Sequence, residues 1–165
     1  MTTPKLTQQQ IETLRQSCRK ALTLSYSPYS NFAVGAAVLL TSGRTVLGAN
    51  VENATYGATV CAERVAIMKC VTSLDSCVRD VRNWVALGVM ASAVGSVVAP
   101  CGICRQVIAE FVKSGDTDDD EFVVVMFGND SDNDDSRFEV RSVGELLPMR
   151  FELENGRGKS EKVKG

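Results

Sequence analysis

Apolar residues near the start of the chain recur at helical spacing. Ile11, Leu14, Cys18, Ala21 and Leu22 share one helical face, with polar and charged residues between them. Thr7 followed by Gln10 makes a capping-box pattern ahead of that run, so the sequence predicts an amphipathic helix over about 7–25. The pattern then changes. FAVGAAVLL (32–40) and TVLGANVEN (45–53) flank TSGR, a turn with glycine, and predict a β-hairpin. CAERVAIMKCVTS (61–73) predicts a helix and WVALGVMA (84–91) a buried strand. CGICRQVIAEFVKS (101–114) predicts a second helix and FVVVMF (122–127) another strand. Strand, helix and strand in succession imply a right-handed crossover and parallel pairing. RFEV (137–140) reads as an edge strand, followed by a short helix in SVGELL that Pro148 ends. The order describes an α/β chain with no internal repeat and no linker.

Composition narrows the function. The chain has 165 residues, 44% hydrophobic and 23% charged, which suits one soluble domain. We expect that domain over 1–151, with 152–165 a polar, disordered tail. No apolar run reaches the roughly 18 to 20 residues of a membrane helix, and MTTPKLTQQQ carries no apolar signal segment. Both point to a cytoplasmic protein with no membrane partner. A net charge of -2 and the lack of a basic stripe argue against nucleic acid as a partner. Histidine is absent, which removes histidine-based nucleophilic catalysis and histidine metal sites. Ten of the twenty acidic residues lie between Asp116 and Glu139. DSDNDD at 130–135 invites an EF-hand reading, but Asp135 stands where the loop needs glycine and Arg141 where it needs glutamate. A solvated loop is the expectation there.

Six cysteines in a reducing compartment point to metal or catalysis more than to crosslinks. Cys101 and Cys104 open one helix a turn apart, and Cys61 opens the other. Alone, the C-x-x-C of PCGICRQ also fits a redox pair or part of a structural zinc site. Helices that follow neighbouring strands in a parallel unit start at one sheet edge, which brings all three thiols together. They fill three corners of a tetrahedral zinc site. Cys18 and Cys70 lie inside helical patterns and Cys77 follows a helix end, so no fourth ligand is evident. A site one protein ligand short keeps a place for water, as catalytic sites do. Glu63, two residues after Cys61, can reach that water without binding metal. Three thiolates oppose the acidifying effect of zinc. Two helix N-termini, each like about half a positive charge, and the nearby Arg64 and Arg105 offset them. We read Arg64 as the charge-compensating residue.

CAE at 61–63, followed forty residues on by PCGIC, resembles the zinc-dependent cytidine deaminases, in the small homotetrameric form with three cysteine ligands. The resemblance runs over about 7–151, through YSPYSNFAVGAA, GANVENATYG, CAERVAI, PCGICRQVIAEF and GELLPMRF in family order. Histidine-ligated relatives would show H-A-E, so Cys61 fits the branch that acts on free nucleosides. The resemblance implies a three-layer α/β/α sandwich with a mixed five-stranded sheet. It implies one zinc per subunit on Cys61, Cys101 and Cys104, with Glu63 as proton shuttle to a zinc-activated water. Cytidine and 2'-deoxycytidine would yield uridine and 2'-deoxyuridine plus ammonia, a step of pyrimidine salvage. Phe32 would pack on the pyrimidine, and Asn50 and Glu52 would bind the ribose hydroxyls. Tyr56 would sit at a subunit contact, and Phe151 would close the site of a neighbouring subunit in a homotetramer. A deaminase of another cytosine compound and a non-enzymatic zinc-stabilised interaction protein remain as alternatives on the same scaffold.

Overall fold

The computed structural model of the protein describes residues 6–95, 97–112, 122–129 and 137–152. The N-terminal amphipathic run forms helix α1 (Gln8–Leu22). Its capping box is made: Gln10 N donates to Thr7 Oγ1 at 3.2 Å, and Thr7 N donates to Gln10 Oε1 at 2.8 Å. Such caps stabilise a helix by about 0.5–2 kcal/mol. The hairpin is β1 (Val34–Leu40) and β2 (Thr45–Ala49). It turns at Gly43, whose φ of 80° is a left-handed conformation that glycine adopts without strain. Then follow α2 (Ala62–Val71), a single turn α3 (Ser76–Arg79), β3 (Trp84–Val94), α4 (Gly102–Phe111), β4 (Val123–Asn129), β5 (Phe138–Ser142) and α5 (Val143–Leu146). The sequence pattern has no counterpart for α3, because four residues are too few to show a period. Its local signal is Asp75, whose carboxylate accepts from Cys77 N at 2.9 Å.

The strand order is β2-β1-β3-β4-β5. β3 and β4 pair in parallel around α4, which is the expected crossover, and the other pairs are antiparallel. Strand side chains alternate between two faces. Ala37, Leu39, Met90, Val125 and Phe127 lie under α1. Ala36, Val38, Val89, Val124 and Met126 lie under α2, α4 and α5. The protein is thus a three-layer α/β/α sandwich on a mixed five-stranded sheet. The acidic positions 116–121 and 130–136 and the expected tail from 153 onward lie outside the described residues.

Two features place the site. β2 and β3 both pair antiparallel with β1, so they run the same way with β1 between them. α2 follows β2 and α4 follows β3, so both helices begin at one edge of the sheet. The strands before these helices are therefore not neighbours, which corrects the sequence argument; their common direction is enough. The second feature is Gly48. A Cβ there would lie 2.3 Å from Ala62 O and 2.4 Å from Ala66 N, so only glycine lets α2 settle this close to the hairpin.

Candidate active site

The chain leaves β2 and is held on both sides. Tyr26 N donates to Asn50 O at 3.0 Å and Glu52 N to Tyr26 O at 2.8 Å. Val51 and Val60 exchange main-chain bonds at 2.9 and 3.0 Å. This short ladder delivers the backbone to Cys61, the N-cap of α2. Cys101 is the N-cap of α4 in the same extended conformation, and neither thiol caps its helix. Both sulfurs are thus free to turn outward. Cys61 Sγ and Cys101 Sγ are 3.9 Å apart, and all three thiol sulfurs, with Cys104, lie within 4.8 Å of one another. A tetrahedral zinc with Zn–S bonds of about 2.3 Å needs sulfurs about 3.8 Å apart, so the donor set fits one zinc ion. Cys104 is buried, Cys61 half-buried and Cys101 exposed, and none is in a disulfide. The cluster therefore opens to solvent on the Cys101 side.

The charges around it are arranged. The Cys61 thiol is pulled down to about 5, first by a hydrogen bond from Cys104, then, against burial, by Arg64 and Cys101. Cys104 is pushed up, first by that same bond with Cys61 and then by burial. Arg64 Nη2 lies 3.7 Å from Cys61 Sγ while also donating to Thr59 O at 2.9 Å. Arg105 has a different use: its Nε donates to Pro100 O at 2.8 Å and its Nη1 to Leu146 O at 3.1 Å. Glu63 is only 4% exposed. Burial raises its pKa, and the Cys61 charge adds to that, while its own backbone amide and the Cys104 thiol bond the carboxylate. A carboxylate whose pKa is raised towards neutrality is suited to moving protons in both directions.

The expected substrate residues fall in three groups. Asn50 is buried: its Oδ1 accepts from Ser25 Oγ at 2.5 Å and Val34 N at 2.8 Å, and its Nδ2 donates to Phe32 O at 2.8 Å. Glu52 accepts from Tyr29 N at 2.9 Å, from Ser30 N at 3.2 Å and from Ser30 Oγ. The Ser30 hydroxyl is the main reason its carboxyl is held below the ordinary range. These polar side chains thus find partners within the chain. Phe32 is partly exposed and follows Asn31, whose φ of 57° is left-handed, a conformation asparagine tolerates. Tyr56 packs against Tyr29 with the rings tilted at 58° and their centroids 5.9 Å apart. Both line a cavity of about 310 Å³ together with Ser30, Glu52 and Thr59. Phe151 stands against α4 instead, with its main chain bonded to Gln106. Sequence reasoning missed Tyr29, Ser30 and Gln106. The first two sit in the tyrosine- and serine-rich YSPYSN turn; no local signal singled out Gln106.

Residues 8–115, which include all three clustered cysteines and Glu63, match the family model described as "Cytidine and deoxycytidylate deaminase zinc-binding region". The chain belongs to this zinc-dependent deaminase family. Its relatives within the family include a cytidine deaminase from Halalkalibacterium halodurans, 40% identical over 131 residues, or 79% of this chain and 86% of the relative. One from Mycobacterium tuberculosis is 37% identical over 142 residues, covering 86% of this chain and 90% of its own. The crystal structure of a cytidine deaminase from Burkholderia pseudomallei matches the fold with a TM-score of 0.69 at 33% identity, over 88% of this chain and 100% of that one. No helix among the described residues is long and apolar enough to cross a membrane.

Proposed function

We propose that the protein is a zinc-dependent cytidine deaminase of pyrimidine salvage, converting cytidine and 2'-deoxycytidine to uridine and 2'-deoxyuridine plus ammonia. The observation that carries this reading is the buried Glu63 beside three thiol sulfurs within 4.8 Å of one another. Cys61, Cys101 and Cys104 would hold one zinc ion per subunit, which when bound supplies a Lewis acid that lowers the pKa of a water from about 15.7 to about 7. Glu63 takes a proton from the attacking water and delivers it to ring N3, as the water oxygen bonds to C4. Glu63 then carries the remaining hydroxyl proton to the amino group. The C4–N bond breaks, ammonia leaves, and the C4 carbonyl forms. Arg64 offsets the negative charge of the sulfurs.

Phe32 packs on the pyrimidine. Asn50 has a second Nδ2 hydrogen, and Glu52 Oε1 carries a bond from Ser30 alone, so each has capacity for a sugar hydroxyl. Tyr56, 74% exposed, and Phe151, 67% exposed, are suited to contacts between subunits of a homotetramer. Cys77, outside the cluster, is an exposed free thiol, which fits the cytosol.

Ammonia release from cytidine, 2'-deoxycytidine, cytosine and cytidine monophosphate tests the substrate assignment. Both nucleosides should react. Cytosine should be very poor, because sites built to bind a hydroxyl reject analogues lacking it by as much as about 10⁴ to 10⁵. Glu52→Ala should lower catalytic efficiency on both nucleosides. Cytosine or the monophosphate outperforming cytidine would overturn the nucleoside reading. Light scattering should give the mass of four chains, and an active monomer would refute sites shared between subunits.

A further inference from the structure

We infer that Gln106 is a positioning residue, whose side-chain amide clamps the main chain of Phe151 and aims that ring at a second copy of this chain. The inference rests on the proposed role of Phe151 in a neighbouring subunit. After α5, residues 147–152 form no helix or strand, so the segment needs other anchors. Gln106 Nε2 donates to Phe151 O at 2.9 Å, and Phe151 N donates to Gln106 Oε1 at 3.1 Å. One side chain thereby makes the paired bonds that a neighbouring strand would make. Only an amide side chain offers donor and acceptor together in this geometry; glutamate, lysine and methionine each lack at least one.

The anchor has a second point next to it. Arg105 Nη1 donates to Leu146 O at 3.1 Å. Adjacent residues of α4 thus tie both ends of this stretch to one helix, and that helix starts at Cys101 and carries Cys104 in its first turn. The position of Phe151 is therefore set by the helix that presents two of the three clustered thiols. The ring itself remains 67% exposed. Two bonds hold the backbone while the phenyl group finds little cover in its own subunit, which is the arrangement of an anchor for another surface.

Gln106→Met keeps the length of the side chain and removes both bonds. It should raise KM for cytidine by about five- to 150-fold, the range expected for the loss of two modest hydrogen bonds, with kcat less affected and bound zinc unchanged. Backbone amide exchange over 147–152 should speed up. Gln106→Glu, which keeps the acceptor and loses the donor, should lie between. Phe151→Ala should raise KM as well, and in that background Gln106→Met should add less than about twofold, because no ring remains to be aimed. Unchanged exchange in Gln106→Met would remove the clamp. Faster exchange with unchanged KM, or effects that multiply in the double variant, would remove the positioning role. If Phe151→Ala alone leaves KM unchanged, the reading of Phe151 fails and takes the aim of the clamp with it; the exchange measurement tells that failure from the failure of the clamp.

Discussion

Glu63→Gln should cut turnover of cytidine by at least about ten-thousandfold while the protein keeps its zinc. General acid–base catalysis by one residue is commonly worth about 10² to 10⁴. Glu63 is asked for more than one proton transfer, so its loss should reach the upper end of that range or pass it. Glutamine has nearly the same volume, so the buried site, 4% exposed at Glu63, stays filled. The neutral amide can still accept from the Cys104 thiol and the local backbone, which bond the carboxylate now. It cannot take up a proton near neutral pH. The three sulfurs are untouched, so metal analysis of the variant should give about one zinc per chain. Turnover near the wild-type rate would take Glu63 out of the chemistry. Loss of the metal together with activity would show a role in holding the site instead.

Cys101→Ala should abolish both zinc binding and deamination. Cys101 and Cys61 hold the N-cap positions of α4 and α2, and their sulfurs stand 3.9 Å apart across the gap between the two helices. With alanine at 101, two thiols remain, on separate helices, and a two-sulfur site is poor for zinc. Structural zinc sites in small peptides contribute about 10 to 16 kcal/mol of apparent binding energy at neutral pH. Some of that energy should here tie α2 to α4, so the melting temperature should fall as well. Cys77→Ala is the control, since Cys77 is exposed and outside the cluster. Metal content, ammonia release and thermal melting are the three measurements. A Cys101→Ala protein that retains zinc and activity would dismiss the ligand set.

α1 could be read from its apolar spacing and from Thr7 and Gln10, because helix caps and periodicity are local. The β3-α4-β4 crossover could be read because its order leaves one hand and one pairing. The grouping of the site's thiols at helix starts was legible for a similar reason. Cys61, Glu63, Cys101 and Cys104 occupy the first turns of their helices, where sequence spacing fixes direction. Arg64, three residues past Cys61, was legible in the same way.

Arg105, like Arg64, follows a thiol by about one helical turn, but its use differs. It spends its guanidinium on Pro100 and Leu146, the second of which is forty-one residues away. Asn50 and Glu52 are also bonded by Ser25, Val34, Tyr29 and Ser30, partners that no spacing along the chain points to. Gln106 looked like an ordinary helical residue until Phe151 came to lie beside it. Local order along the chain thus determined the longer helices, the crossover, and the placing of the three clustered thiols and Glu63 at helix starts. Tertiary structure decided that α2 and α4 begin together across an intervening strand, that Arg105 turns to Pro100 and Leu146, and what holds Phe151. The physical reason is that caps and periods act within a turn or two of helix. A hydrogen bond between residues 106 and 151 depends on where two distant segments come to rest, and no short stretch of sequence encodes that.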